Sequence, residues 1–366
     1  FITWLLVGEG VVTATERLVA VLVIACPHAL GLAVPLVASI STTMAARNGL
    51  LVKERRALEA ARTIDTILFD KTGTLTQGAF GIEQIVPQPG VTEEEVLQLA
   101  ASVNSHSEHP IAKAIVRTAQ QRQITLLPVR DFRRIPGHGA EAKVNDMKVT
   151  VGQSAHGEAL AQGGKTVIDV LRDGQVLGSI ALGDVIREES KTAVQVLKQL
   201  GIKTAMITGD SEDVAAWVAK ELQLDEYFAR VMPDQKSEKV KILQSQGRKV
   251  AMVGDGVNDA PALTQADLGI AIGAGTNVAI ESAGIILVRN DPRDIPKIIR
   301  LSNLTYRKMI QNLFWATGYN IVAIPLAAGV LAAQGIILEP AIAAVFMSVS
   351  TVIVAFNAVL LRKKQL

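Results

Sequence analysis

The sequence predicts an α/β protein with a Rossmann-like parallel sheet, interrupted by an inserted α+β domain and joined to transmembrane α-helices. Three observations lead there. Three long runs contain no Asp, Glu, Lys or Arg at all. Between them, short β-branched runs alternate with helical patterns, as a buried parallel sheet does. The composition is also divided: 49% hydrophobic residues and a mean hydropathy of +0.30 stand beside 20% charged residues. So large a charged share excludes a pure membrane bundle, and so high a hydropathy is unusual for a plain soluble enzyme. The 366 residues exceed one average domain. A formal net charge of +2 gives no signal for a nucleic-acid partner. The single cysteine, Cys26, excludes an internal disulfide framework and a Cys-rich zinc module.

In chain order, residues 1–8 are apolar but too short to cross a bilayer. They read as the end of a transmembrane helix that starts upstream, since no basic leader marks a signal peptide. Residues 18–46 form the first full span and contain Cys26-Pro27-His28. The second charge-free run gives a helix expected over 309–333, and the third covers 340–361. Each exceeds the roughly 20 apolar residues that a crossing helix needs. Arg47, Lys53, Arg55, Arg56, Arg307, Lys308, Arg362, Lys363 and Lys364 flank one side of these spans; Glu9, Glu16 and Glu339 flank the other. Basic residues mark the cytoplasmic side. Residues 47–308 are therefore expected in the cytoplasm, and the protein in the lipid bilayer of a prokaryotic plasma membrane, as a multi-pass chain.

Between the spans, strands are expected over 66–69, 203–207, 249–253, 268–272 and 285–288. A helix over 188–200 would bury Ala193, Val194, Leu197 and Leu200. Another over 237–246 has Ser237 at its start and Gly247 at its end. Residues 81–183 differ. Helices over 92–103 and 110–122 precede short strand-like pieces, with turn signals at Asn145-Asp146 and Asp173-Gly174. This stretch reads as a domain inserted after the first strand.

Polar motifs follow three of the strands: Asp70-Lys71-Thr72-Gly73-Thr74, Thr208-Gly209-Asp210, and Gly254-Asp255-Gly256-Val257-Asn258-Asp259. In an open parallel sheet, sites form at the carboxyl ends of strands, so the motifs would share one crevice. An aspartate can attack the terminal phosphoryl group of ATP and form an aspartyl phosphate. Two anions then approach each other, and Mg²⁺, which takes carboxylate and phosphate oxygens, offsets their repulsion. Asp70 and Asp255 can supply the carboxylates. Thr208 and the Gly209 amide can hold phosphoryl oxygens, and Lys236 adds a cation.

The runs Asp70-Lys71-Thr72-Gly73-Thr74 and 254–263 (GDGVNDAPAL) resemble the P-type ATPases, and the resemblance covers the whole chain. It implies a haloacid-dehalogenase-like phosphorylation domain built from residues 57–80 and 184–300. It implies a nucleotide-binding domain at 81–183, with ATP and Mg²⁺ as cofactors. Asp70 is then the phosphorylated residue, and Lys71 and Asp210 belong to its motifs. Thr72 gives a backbone carbonyl to Mg²⁺ and Asp255 coordinates the ion. Thr208, Lys236, Asn258 and Asp259 support the phosphate. The heavy-metal branch is suggested by Ser107-Glu108-His109-Pro110 and Gly137-His138-Gly139. By that resemblance Glu108, His109, Gly137, Gly139 and Gly152 hold the nucleotide. Gln153 stands where the branch has Asn.

Cys26 and His28 lie inside a span, where an imidazole is costly and usually functional. Thiolate and imidazole together suit copper, silver or zinc. Tyr319 and Asn320 lie in the second run, and Met347, Ser348, Ser350 and Thr351 in the third. Neither run has an internal carboxylate or lysine, and a thioether with neutral oxygens favours a soft ion. Cys-Pro-His with these residues looks like the CopB-like copper subgroup. The expected function is therefore ATP-driven copper translocation, with copper as substrate and export as its direction. Zinc, cadmium or silver transport, a membrane-anchored phosphohydrolase, and a non-transporting ATP-binding fragment remain alternatives. No Thr-Gly-Glu tripeptide occurs. In the family it lies on an actuator domain, expected here upstream as the missing N-terminal partner, so this chain alone is expected to stall.

Overall fold

A computed structural model describes residues 1–26, 28–135, 139–153, 165–273 and 277–366. The chain divides into two compact units, Phe1–Thr63 with Pro296–Leu366, and Ile64–Ile295.

The first unit is helical. Its long helices are Val11–Ala25, His28–Arg47, Asp294–Thr317 from Pro296 onward, and Pro340–Val359; Asn320–Ala328 is shorter. A short strand, β1 (Leu50–Val52), and a helix, Arg55–Ala60, follow the second. Small residues fill the helix contacts. Ala20, Ile24, Ala323, Ala327, Leu338 and Ala343 form one cluster, and Ala29, Ala33, Ala316 and Val354 another. Larger apolar residues such as Leu22, Phe314, Ile321 and Val352 point outward. Small inside and large outside is the pattern of helices packed in lipid. Among the described residues, the segments Val11–Arg47 and Pro340–Lys363 are long and apolar enough to cross a membrane. Only 24% and 22% of their apolar windows are buried, which sets them apart from soluble core helices.

The helices differ from the charge-free runs in two places. The first begins at Val11, not 18, because Arg17 is buried and its Nη1 donates to the Leu338 carbonyl at 2.9 Å. It stops at Ala25, with Cys26 extended (φ −61°, ψ 120°), as expected for a residue before proline. Pro27 lies outside the described residues. The run over 309–333 is not one helix. It breaks at Gly318-Tyr319, resumes at Asn320 and ends at Gly329 (φ +90°), a left-handed position that suits glycine.

The second unit holds two sheets. Its strands are β2 (Thr66–Asp70), β3 (Thr76–Pro87), β4 (Val129–Ile135), β5 (Gly139–Val144), β6 (Met147–Gln153), β7 (Thr166–Arg172), β8 (Gln175–Ile186), β9 (Lys203–Ile207), β10 (Glu226–Phe228), β11 (Val250–Gly254), β12 (Leu268–Ile272) and β13 (Ile285–Leu287). Within this unit one sheet runs β13-β12-β11-β2-β9-β10, all parallel. Every residue of β2, β11 and β12 is buried, as parallel strands covered on both faces require. The other sheet is antiparallel, β3-β8-β7-β6-β5-β4. Helices Glu93–Asn104 and Pro110–Gln121 contribute Leu97 and Ile115 to its core, with Val149, Val170 and Ile180 from the strands. Asn145-Asp146 and Asp173-Gly174 have positive φ throughout, the geometry of tight two-residue hairpins. Two local expectations fail. Leu200 is 40% exposed, because its helix ends at Gln199 and leaves it as the cap. Ser237 is not a cap, because the helix Lys236–Ser245 continues from a turn already started at Pro233.

Candidate active site at the carboxyl ends of the parallel strands

Register brings the three motifs together. Asp70 pairs with Ile207, so Thr208 lies one residue beyond it on the neighbouring strand. Phe69 pairs with Val253, so Gly254 and Asp255 emerge beside Asp70 on the other side. The central position of β2 makes Asp70 the middle of the crevice.

Asp70 is 7% exposed and Asp259 2%, and carboxylate oxygens of Asp70, Asp255 and Asp259 all lie within 4.8 Å of one another. The Lys236 ammonium donates to Asp70 Oδ1 at 2.5 Å and to Asp259 Oδ1 at 2.6 Å. When all four groups are ionised, three carboxylates against one ammonium leave two uncompensated negative charges. A buried site of this kind fits a divalent cation with oxygen ligands.

The same crowding sets the proton affinities. Burial, then repulsion from Asp259, pushes Asp70 up to about 7, although Lys236 works against both. Burial and Asp259 also raise Asp255. Burial works to lower the Lys236 ammonium, but Asp70 and Asp259 outweigh it and hold it above its ordinary value. Two glycines keep the carboxylates close. A Cβ at Gly73 (φ +77°) would overlap Asp255 Oδ2, and one at Gly254 would fall 2.5 Å from Asp259 Oδ2.

Lys71 lies beside this cluster. Its Nζ is 2.6 Å from Asp210 Oδ2, an ion pair by distance although not aligned as a hydrogen bond, and 3.6 Å from Asp184. Thr208 is buried and its hydroxyl accepts from the Asp210 amide. Thr72 and Asn258 are exposed. Nothing crowds Gly209 closer than the Val231 carbonyl, 3.6 Å from an ideal Cβ.

Three participants were not singled out by their sequence context. Asp184 accepts from the Thr76 hydroxyl at 2.5 Å and the Gly78 amide at 3.0 Å. Arg187 donates to the carbonyls of Thr76 (2.7 Å), Gly73 (3.1 Å) and Asn290 (3.3 Å). Both stand where the inserted sheet returns to the parallel one, so only the topology reveals them. The Thr74 hydroxyl, inside the Asp70 motif, is buried without a hydrogen-bond partner. Such an orphan is costly and is characteristic of functional sites.

In the inserted domain, His109 caps the helix Pro110–Gln121, its Nδ1 accepting from the Ile111 amide at 3.3 Å. Glu108 is exposed and paired with Lys113, whose hydrogen bond lowers its proton affinity. Gly139 and Gly152 are direct partners across β5 and β6. Gly139 (φ +135°) has no room for a Cβ, which would overlap the Val151 carbonyl. Gly137 and His138 lie outside the described residues.

In the membrane unit, Cys26 follows one helix and His28 begins the next, both exposed. Tyr319 packs on the cluster that contains Ile24, and the Asn320 Oδ1 is buried without a partner. Met347 and Thr351 are half-buried, whereas Ser348 is exposed and bonds back to its own helix at Ala344. Ser350 and Thr351 likewise donate to the Met347 carbonyl. Among the described residues, no hydrogen bond or ion pair joins Cys26 or His28 to Tyr319, Asn320 or Met347.

The haloacid dehalogenase-like hydrolase family model matches residues 64–267. The copper-exporting P-type ATPase B of Archaeoglobus fulgidus is 55% identical over 370 residues, covering 98% of this chain and 53% of that protein. The crystal structure of a zinc-transporting PIB-type ATPase in the E2.Pi state superposes with a TM-score of 0.82 at 37% identity, over 92% of this chain and 56% of that one. A structure of the catalytic domain of the CPx-ATPase CopB-B superposes with a TM-score of 0.53 at 35% identity, over 70% of this chain and 98% of that one. The chain spans about half the length of the curated relatives it matches.

Proposed function

The chain belongs to the haloacid dehalogenase-like hydrolases and, within them, to the P-type ATPases, and we propose on that basis that it is the catalytic unit and part of the membrane unit of an ATP-driven copper exporter. The observation that carries the reading is the cluster of buried Asp70, Asp259 and Lys236 with half-buried Asp255 at the carboxyl ends of the parallel strands. Residues 57–80 and 184–300 act as the phosphorylation domain, and 81–183 as the nucleotide-binding domain. Glu108, His109, Gly139 and Gly152 hold the nucleotide, with Gly137 between them in sequence.

Asp70 attacks the γ-phosphoryl group of ATP and keeps it as an acyl phosphate while ADP leaves. Bound Mg²⁺ offsets the charge of the reacting oxygens. Asp70, Asp255 and the Thr72 carbonyl hold it, and Lys236 remains tied to Asp259 as a fixed cation beside the phosphate. Thr208 and the Gly209 amide hold phosphoryl oxygens, and Asn258 closes the site. Lys71, Asp210, Asp184 and Arg187 keep the Asp70 loop in place. By the family resemblance, an actuator domain supplies the water-positioning group for the later hydrolysis.

Copper is the transported substrate. Support comes from the 55% identity to a copper-exporting relative, against 37% to a zinc-transporting structure. It also comes from the donor set: a thiol, an imidazole and a thioether suit a soft ion. Cys26 and His28 are the leading ligands, with Tyr319, Asn320, Met347, Ser348 and Thr351 from the other helices. The unpartnered Asn320 oxygen agrees with a ligand role. The protein then resides in a prokaryotic plasma membrane with the catalytic unit in the cytoplasm. The test is metal-stimulated ATPase activity of the full-length protein. Copper should stimulate turnover, and Cys26→Ala or His28→Ala should abolish the stimulation while ATP still binds. Stimulation by zinc but not copper refutes the choice of metal. Turnover that is indifferent to both substitutions favours a membrane-anchored phosphohydrolase.

A further inference from the structure

At one end of the membrane unit, two helix ends meet around a pocket of about 180 Å³. Ile40 and Met44 form its apolar wall, and Arg47, Arg362 and Lys364, with Thr43 and Asn48, its polar one. Arg47 ends the helix His28–Arg47, Arg362 lies in the turn Leu360–Lys363 that follows Pro340–Val359, and these two helices pack together. No acidic residue lines the pocket, and among the described residues no carboxylate pairs with any of the three cations. A fourth cation, Lys308, lies close enough to Lys364 for their charges to interact, and its Nζ is held 2.9 Å from Asn357 Oδ1.

Basic residues on one side of a membrane are ordinary, and a cation at a helix C-terminus is favoured by the helix dipole. Neither explains three cations on one concave surface floored by Ile40 (3% exposed) and Met44 (7% exposed). Like charges gathered so closely repel unless an anion sits among them. A small soluble anion gains nothing from the apolar wall, whereas a phospholipid phosphate lies at this depth and brings hydrocarbon with it. Val352, Phe356 and Val359 form an exposed stripe at helical spacing that leads to Arg362. It spans roughly 10 Å of helix, enough to take the upper part of an acyl chain. Basic pockets between membrane helices bind anionic headgroups in this way.

We propose that Arg47, Arg362 and Lys364 bind the headgroup phosphate of an anionic phospholipid whose chains lie along Val352, Phe356 and Val359. The bound lipid bridges the ends of two helices. The inference requires only that this unit is embedded in a membrane, not that it moves copper.

The test is native mass spectrometry of the delipidated chain after addition of phosphatidylglycerol or phosphatidylcholine with the same acyl chains. Each cation contributes about fivefold, so phosphatidylglycerol should be retained roughly a hundredfold better. Combined Arg47→Gln, Arg362→Gln and Lys364→Gln should bring retention down to the phosphatidylcholine level. Lys364→Gln alone, at an exposed position, should lower it about fivefold. Combined Lys203→Gln, Lys220→Gln and Lys241→Gln, which removes the same charge from the other unit, should leave it unchanged. Equal retention of the two lipids by the native chain overturns the proposal, as does undiminished phosphatidylglycerol retention in Lys364→Gln or the triple variant. Loss of bound phosphatidylglycerol on adding inorganic phosphate also overturns it, because the site is then one for free phosphate.

Discussion

With Asp70 as a Mg²⁺ ligand, as proposed, its proton affinity should tie Mg²⁺ binding to pH. With Asp70 pushed up to about 7 by burial and by Asp259, its carboxyl competes for a proton in the range where the site works. The protonated fraction is about 0.9 at pH 6, about 0.5 at pH 7 and about 0.1 at pH 8. Mg²⁺ needs the carboxylate, so each ion bound should release about that fraction of a proton, and affinity should be roughly tenfold weaker at pH 6 than at pH 8. Asp255 is raised too, which can only steepen the dependence. Without the metal, stability follows the opposite sign. A folded value above the unfolded one means that protonated Asp70 contributes stability at low pH, lost as pH rises through about 7. Isothermal titration calorimetry in two buffers of different ionisation enthalpy measures affinity and proton release together. Asp70→Asn should remove most of the proton release. Equal affinity at pH 6 and pH 8, with no proton released, refutes the reasoning.

Lys236→Met leaves two buried carboxylates, Asp70 and Asp259, without their ammonium, and should destabilise the metal-free protein at pH 8 by about 3–5 kcal/mol in urea denaturation; a loss below about 1 kcal/mol contradicts the electrostatic picture. Gly73→Ala forces a side chain into a left-handed position and against Asp255 Oδ2. It should weaken Mg²⁺ binding at least about tenfold and cost at least about 1–2 kcal/mol of stability, and calorimetry compared with denaturation separates the two. Arg187→Lys keeps the charge but loses the fork that reaches three carbonyls. Phosphorylation should slow about tenfold or more with nucleotide affinity unchanged, measured by rapid quench and by equilibrium binding.

Much of the catalytic unit was readable because its signals are local. The strands at Thr66–Asp70, Lys203–Ile207 and Val250–Gly254 are short, mostly apolar runs followed by polar motifs, and parallel pairing puts those motifs side by side. The turns at Asn145-Asp146 and Asp173-Gly174 carry their conformation in residue type. What escaped depends on partners distant in the chain. Arg187 reaches Gly73 across 114 positions, and nothing in the residues around it announces that contact. The pairing of Gly139 with Gly152 needs the register of two strands. Counting charge-free residues misplaced the first membrane helix, since a buried Arg17 can join a helix when a carbonyl is there to receive it. The same counting could not see the break at Gly318-Tyr319, where backbone geometry, not hydropathy, ends the helix.

Acid-stable phosphorylation at Asp70 tests the central claim most directly. The full-length protein, given γ-labelled ATP and Mg²⁺, quenched in acid and digested, should carry its label on the peptide containing Asp70. The label should be released by hydroxylamine, as acyl phosphates are, and should be absent from Asp70→Asn. Label that persists in Asp70→Asn, or that resides on a hydroxyl side chain, contradicts the account.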